Sequence, residues 1–302
     1  MLKSGILETM GKYSIKDLEQ LSGIKAHTIR IWEKRHRLIE PKRTSTNIRY
    51  YSDEDLKKII NVSLLNNHGV KISKIVDLSV DEINQKVAEL SEVNDSIEIY
   101  IDQLVLAMID LEEEQFEKIL ASLILKFGFE RSITEIVYPF LDKIGVLWLT
   151  GSISPVQEHF ISQLIRQKLI VAIDSLPLAP KTAKRVLLFL PENELHELGL
   201  LFFHYICKKE GFRTYYLGQS VPYQDLTVVF EEHQPNIIVS SFTTVPVANT
   251  VDTYLKRMAT DFGNTAILIS GKVLKKLKHE LPSNVQIFSK AMEIKELLKY
   301  LK

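Results

Sequence analysis

The chain has 302 residues, 45% hydrophobic and 25% charged, values that exclude wholesale disorder and a collagen-like repeat; at about 100–200 residues per domain, two or three folded units are expected. Cys207 is the only cysteine, which excludes an intrachain disulfide, a Cys-rich zinc site and a cysteine-ligated iron–sulfur cluster. Lys plus Arg and Asp plus Glu balance at 38 each; yet residues 1–51 hold eleven bases against five acids, and residues 81–120 hold twelve acids against two bases.

That asymmetry is what a nucleic-acid-binding module joined to a non-binding one would show, and two ordinary solvated faces would show it too. No apolar run approaches 18 residues, and the N-terminus lacks the apolar core of a signal peptide. A soluble, cytoplasmic chain with no membrane partner is expected.

Ser14 followed by Asp17 has the pattern of a capping box, with Ile15, Leu18 and Leu21 at helical spacing, so a helix is expected over 14–21. Ser22-Gly23 supplies a turn. A second helix from about Ala26 carries Ile29 and Trp32 inward and turns His27, Thr28, Arg30, Lys34 and Arg35 elsewhere. This is a helix-turn-helix pattern whose second helix places short polar groups and arginine where major-groove readers need them; an amphipathic surface helix is the alternative. Pro41 to Thr44 and Asn47 to Tyr51 have the pattern of a short two-stranded wing, followed by the Ser52–Asp55 cap of a third helix.

The stretch TIRIWEKRHRLIEPKRTSTNIRYYSDEDL resembles the winged helix-turn-helix of the MerR family of transcription regulators. The resemblance implies that the second helix, with Thr28, Arg30 and Lys34, enters the major groove of double-stranded DNA and that Arg43, Arg49 and Tyr50 of the wing hold phosphates. Trp32 and Tyr51 are expected in the core. With one cysteine and more than 200 residues to follow, a thiol-ligated metal sensor is excluded and a larger effector region is required.

Segments near 95–109, 112–127, 130–149 and 155–175 show apolar residues at three- and four-residue intervals. They predict a four-helix bundle, with Leu104, Leu120, Ile124, Phe127, Ile136, Phe140, Ile144, Ile161 and Leu164 as candidate core. Ser154, Pro155 and Gln157 begin the last helix in the manner of a capped N-terminus, placing Glu158 and His159 in its first turn. Taken singly, Trp148 is a core residue and Glu158-His159 a surface pair.

After the Pro-containing linker 176–180, strand-like runs at 185–190, 214–218, 236–242, 266–270 and 285–289 alternate with helices. They predict a five-stranded parallel α/β domain of flavodoxin-like, Rossmann-like type, which binds ligands at the carboxyl ends of its strands. The loop after the first strand carries Glu194, His196 and Gly199. A loop imidazole is a good cobalt ligand, and an acid two residues earlier can fix its tautomer; capping of the next helix is the alternative role. His204, His233 and His279 are expected to be surface or packing residues.

Glu194-x-His196-x-x-Gly199 resembles the loop of cobalamin-binding domains that supplies the lower axial ligand. That resemblance implies His196 on cobalt, a buried nucleotide tail near Ser240, Ser241, Thr243 and Thr244, Leu217-Gly218 closing the second strand, and Gly271 after the fourth. The family's Gly-Gly stands here as Ser270-Gly271-Lys272. Trp148, nine residues, then Glu158-His159 matches the helical cap over the upper face of cobalamin.

The three parts in this order, 1–80, 90–178 and 182–302, resemble the CarH/LitR group. In that group adenosylcobalamin assembles an oligomer, a dimer or tetramer, that represses DNA, and light dismantles it. Light sensors there place a histidine after the cap tryptophan, where this chain has Leu149, so no bis-histidine photoproduct is expected. The cofactor expected is adenosylcobalamin or methylcobalamin. A cobalamin-independent regulator and a corrinoid-dependent methyltransferase are the alternatives, and no catalytic constellation is found.

Overall fold

The structure is a computed structural model and describes residues 11–93, 96–149, 153–243, 251–276 and 281–302; Thr244 and His279 lie outside these. The chain divides into two compact units, residues 1–161 and 162–302.

The first unit opens with helix α1 (Ile15–Ser22), α2 (Ala26–His36), strands β1 (Lys42–Arg43) and β2 (Arg49–Tyr50), and α3 (Asp53–Asn67). Ser14 caps α1 in a full capping box with Asp17, and Gly23 closes it in the left-handed conformation. α2 has no capping side chain of its own. Its first amide, on Ala26, donates instead to Glu19 of α1 at 3.1 Å, a bond that with Lys25 holds the Glu19 carboxyl below its ordinary pKa. Ser52 and Asp55 box the start of α3, and Ser63 in that helix donates to the Ser22 carbonyl at 2.6 Å. Ile29, Trp32, Leu56 and Ile59 are buried between these helices.

Two helices absent from the sequence-based expectation follow, α4 (Ile72–Ile75) and α5 (Val80–Val93). The bundle then comprises α6 (Ile97–Ile109), α7 (Glu113–Phe127), the pair α8 (Phe129–Arg131) and α9 (Tyr138–Leu149), and the start of α10 (Pro155–Asp174). Its third member is not one regular helix: Ser132–Val137 is a π-helical turn. Ser132 and Thr134 return their hydroxyls to the carbonyls of Gly128 and Glu130, and Pro139 just beyond has no amide to give the helical ladder, so the turn widens there. Seven of the nine candidate core residues are buried, whereas Ile124 and Phe127 are half-buried. At this end of α7 the Phe127 ring meets the Tyr100 ring edge-on at 6.1 Å and lies under the Arg131 guanidinium at 5.1 Å. Inside the bundle Asp102 accepts from Lys143 at 2.6 Å, and burial raises the Asp102 pKa against the pull of that lysine.

The second unit holds the remainder of α10, then β3 (Arg185–Pro191), α11 (Leu198–Lys209), β4 (Arg213–Val221), α12 (Tyr223–His233), β5 (Ile237–Ser241), α13 (Val251–Asp261), β6 (Ala266–Ser270), β7 (Val285–Ile287) and α14 (Glu293–Leu301). The sheet is parallel throughout, in the order β4-β3-β5-β6-β7. The uninterrupted apolar run Val186–Leu190 is fully buried, as a central parallel strand covered on both faces requires. The order reverses between β3 and β5, so the loops leaving them open a crevice at their carboxyl ends.

Leu217-Gly218 does not end the second strand. Gly218, at φ +80°, sits where the register between β3 and β4 shifts, and β4 runs on to Val221. His204 stacks on Tyr216 with ring centroids 4.9 Å apart and bonds Thr214, and His233 stacks on Tyr215; both are packing residues. Burial lowers the His204 pKa from 6.5 to about 4. The unfolded chain therefore takes up a proton that the folded one refuses: stability is full above pH 6.5 and is lost as the pH falls toward about 4. Urea unfolding of His204→Phe is expected to show a flatter pH dependence across that window.

Candidate functional site

In the first unit, α2 presents His27, Arg30, Ile31 and Lys34 to solvent while Thr28 is half-buried. In the wing, Arg43 donates to the Asn47 side chain at 2.8 Å and its carbonyl at 3.1 Å, tying the tip together. Arg49 is exposed and lies 3.8 Å from Glu33 of α2, and Lys12 sits over the half-buried Tyr50 ring. Tyr51 and Trp32 are core. Tyr51 also donates to Glu33 at 3.1 Å, so wing and reading helix are joined beneath the surface. Arg30 and Lys34 of α2 and Arg43 and Arg49 of the wing are thus all exposed, a concentration of basic side chains of the kind nucleic-acid-binding surfaces carry.

Tyr13 connects this head to the bundle. Its backbone pairs with Tyr51 in both directions at 2.9 and 2.8 Å, and its hydroxyl donates to Asp53 at the start of α3 at 2.8 Å. Gln157 at the start of α10 lies close enough to the same hydroxyl to hold back the rise of its pKa, and it donates to the Ile109 carbonyl at 3.4 Å. Gln157 completes the predicted cap, accepting from the Ser154 amide at 3.1 Å. It therefore fixes the helix turn that carries Glu158 and His159. Those two form a pair at 2.8 Å, with His159 exposed, and Trp148 is 53% exposed on α9 rather than buried as a core residue. Leu149 ends α9, and its side chain is outside the description.

In the second unit the loop after β3 carries Glu194 and His196. The Glu194 carboxylate is 3% exposed, the His196 side chain 62%. One Glu194 oxygen takes His196 Nδ1 at 2.6 Å and its amide at 3.1 Å; the other takes the Thr243 amide, beyond β5, at 2.8 Å. Glu194 thus ties together both loops of the crevice and fixes the orientation of the imidazole through its Nδ1. Ser240, at the end of β5, is fully buried and its hydroxyl has no partner among the described residues; its neighbour Ser241 is also buried. A buried, unsatisfied hydroxyl costs about 1–3 kcal/mol, a demand that a polar ligand group would meet.

The two glycines differ. A Cβ on Gly199, in the first turn of α11, would meet nothing within 4 Å, so the space at that position is open. Gly271 has φ +136° and a Cβ there would lie 1.9 Å from the Phe242 carbonyl oxygen. Thermal unfolding should therefore show Gly199→Ala unchanged or raised by up to about 1 kcal/mol and Gly271→Ala lowered by about 1–3 kcal/mol or more.

Residues 13–79 match the family of MerR HTH family regulatory proteins and residues 100–172 the B12 binding domain. The chain is 26% identical over 282 residues to the HTH-type transcriptional repressor CarH of Myxococcus xanthus, covering 91% of this chain and 87% of that protein. To the repressor CarA of the same organism it is 26% identical over 230 residues, covering 76% and 75%. The chain is a MerR-type transcription regulator with a cobalamin-binding domain.

The regulator shares its fold with the monomethylamine corrinoid protein of Methanosarcina barkeri, at a TM-score of 0.54 and 14% identity over 68% of its own length and all of that chain. Its named relatives are repressors, and it is a regulator rather than an enzyme. Among the described residues no helix is long and apolar enough to cross a membrane, and no three His, Cys, Asp or Glu gather as a metal site. Cys207 is buried, and burial raises its thiol pKa well above the ordinary value, so it offers no thiolate.

Several residues of the regulator's site carry no sequence signal. The extension of β4 past Gly218 brings Ser220 to the ligand loop, where its amide donates to the Glu194 carbonyl at 3.2 Å and its hydroxyl accepts from Asn193 at 3.0 Å. Gln219 donates to the Leu195 carbonyl at 2.8 Å. Glu197, buried next to His196, accepts from Arg166 of α10 and from Tyr216 of β4.

Proposed function

We propose that cobalamin, as adenosylcobalamin or methylcobalamin, would be held at the crevice between the β3 and β5 loops, with His196 offering an imidazole nitrogen to its cobalt, and would thereby set the regulator's affinity for operator DNA. The single observation carrying this is the buried Glu194 carboxylate, 2.6 Å from His196 Nδ1 and 2.8 Å from the Thr243 amide. When bound, the cofactor supplies a cobalt centre that accepts a neutral imidazole nitrogen. Glu194 holds that imidazole in one tautomer and raises its basicity. Ser240, Ser241 and Thr243 offer polar groups to the nucleotide tail, Gly199 leaves room for the ring's edge, and Gly271 shapes the neighbouring turn. Trp148, Glu158 and His159 are proposed as further residues that would touch the cofactor.

The proposed division of labour is a DNA-binding part, 1–80, a helical cap, 90–178, and a cobalamin-binding part, 182–302, acting in the cytoplasm as a dimer or tetramer on double-stranded DNA. Arg30, Lys34 and Thr28 read the groove while Arg43, Arg49 and Tyr50 hold phosphates. The path from cap to reading head runs through Gln157, Tyr13 and Tyr51 to Glu33, and occupancy of the cap's signature turn biases it.

A cobalamin-independent regulator is the second reading, favoured by one observation: Gly271 is required by its contact with Phe242, so its presence needs no ligand. The deciding experiment is incubation of the purified protein with adenosylcobalamin in the dark, desalting, and an ultraviolet–visible spectrum before and after illumination. Retained colour with an imidazole-ligated spectrum is expected. Complete loss of colour on desalting leaves the second reading.

A further inference from the structure

The reading helix α2 has three faces, and two are accounted for. Ile29 and Trp32 are buried against the neighbouring helices. Glu33 is held by Tyr51 and Arg49 of the wing. The third face carries His27, Arg30, Ile31 and Lys34, spaced i, i+3, i+4 and i+7, and all four are exposed. Three of these side chains are basic or polar. Ile31, at 45% exposure, is a large aliphatic group set among them.

An isoleucine side chain has no donor, no acceptor and no charge, so it can neither neutralise a phosphate nor hydrogen-bond a base edge. In the major groove the apolar group offered by the bases is the C5-methyl of thymine. A β-branched side chain on a helix holds one χ1 rotamer, so Ile31 arrives already ordered and loses little freedom on contact. Arg30 and Lys34 on either side supply the charge that brings the helix to the groove and say nothing about thymine.

We infer that Ile31 is a specificity-determining residue of the DNA-reading helix, packing against the C5-methyl group of a thymine in each half-site and so selecting a T·A pair at that position. This rests on the reading that α2 enters the major groove. The partner group is the methyl itself, so the test removes that methyl while leaving every hydrogen-bonding group of the base in place.

The full-length protein is used to select its binding sequence from a random duplex pool. Each thymine of the selected duplex is then replaced singly by deoxyuridine, and affinity is read by fluorescence anisotropy. Wild type is expected to lose about four-fold for one thymine per half-site, the size of one buried methyl, and much less at the others. Ile31→Ala is expected to bind the thymine duplex weaker by at least that factor and to show no difference between thymine and deoxyuridine at that position. Ile31→Val, which keeps the branched carbons, is expected to retain the difference. The slope of affinity against salt should be unchanged in both variants, because no phosphate contact is lost.

Indifference of wild type to deoxyuridine at every position overturns the inference, as does a thymine preference kept in full by Ile31→Ala. In either case binding to the selected duplex persists and the major-groove reading stands. Failure of the selection to enrich any sequence overturns the inference and the major-groove reading together.

Discussion

His196→Ala is expected to weaken cobalamin binding by about 100-fold or more and to abolish the imidazole-ligated spectrum, since loss of a residue that only orients a metal ligand already costs about 10–100-fold. Glu194→Gln separates the two roles. An amide in place of the carboxylate can accept through one oxygen alone, so it cannot serve His196 Nδ1 and the Thr243 amide together as Glu194 does at 2.6 and 2.8 Å. That variant is expected to keep imidazole ligation with affinity lowered by about 10–100-fold. Both are checked by equilibrium dialysis and absorption spectra in the dark. Because the buried Glu194 carboxylate loses its Nδ1 partner but keeps the amide of residue 196, the variant is expected to be destabilised by about 1–3 kcal/mol in urea unfolding, so binding is compared where both proteins are folded. A wild-type spectrum in His196→Ala would refute the axial role outright.

What could be read from the sequence follows a physical division. Capping boxes are local, so Ser14 with Asp17, Ser52 with Asp55 and Ser154 with Gln157 all announce helix starts that the structure contains. Strand periodicity and apolar runs place the five strands, and the acid two residues before His196 is within reach of its ring by chain geometry alone. Pairings between distant segments leave no such trace. Glu197 finds Arg166 and Tyr216 only after the sheet has assembled. Gly218 reads as a strand end because glycine usually weakens a strand, although here it permits the positive φ of a bulge and lets β4 continue to the residues that pin the ligand loop. The π-helical turn at 132–137 was signalled by Pro139, but period-counting across the segment averages the irregularity away.

Gln157 shows the same limit within one side chain. Its oxygen answers Ser154, as the local pattern implies, while its nitrogen reaches the Ile109 carbonyl and its amide meets Tyr13, 144 positions earlier in the chain by the numbering of the two residues. Sequence spacing could suggest the cap; only the fold reveals that the cap is also the anchor of the reading head.

Tyr13→Phe tests that anchor. The ring remains, so the packing under the wing and the backbone pair with Tyr51 persist. Only the hydroxyl between Asp53 and Gln157 goes. Burial already raises the Asp53 pKa, and the Tyr13 hydrogen bond is the principal influence lowering it; without that bond the carboxyl is left with less to offset its desolvation, at a cost of about 1–3 kcal/mol in urea unfolding. Cofactor and DNA affinities are coupled in regulated systems by about 1–3 kcal/mol, or roughly 5–150-fold. In the variant that ratio, operator affinity with cobalamin over affinity without it, is expected to fall toward one. Cobalamin binding itself should stay at the wild-type level, because His196 and Glu194 are untouched. Anisotropy with labelled operator, in the presence and absence of cofactor, reads both quantities. An undiminished ratio in a variant destabilised as expected would show that the hydroxyl supports the fold alone and that the signal reaches the DNA-reading helix by another route.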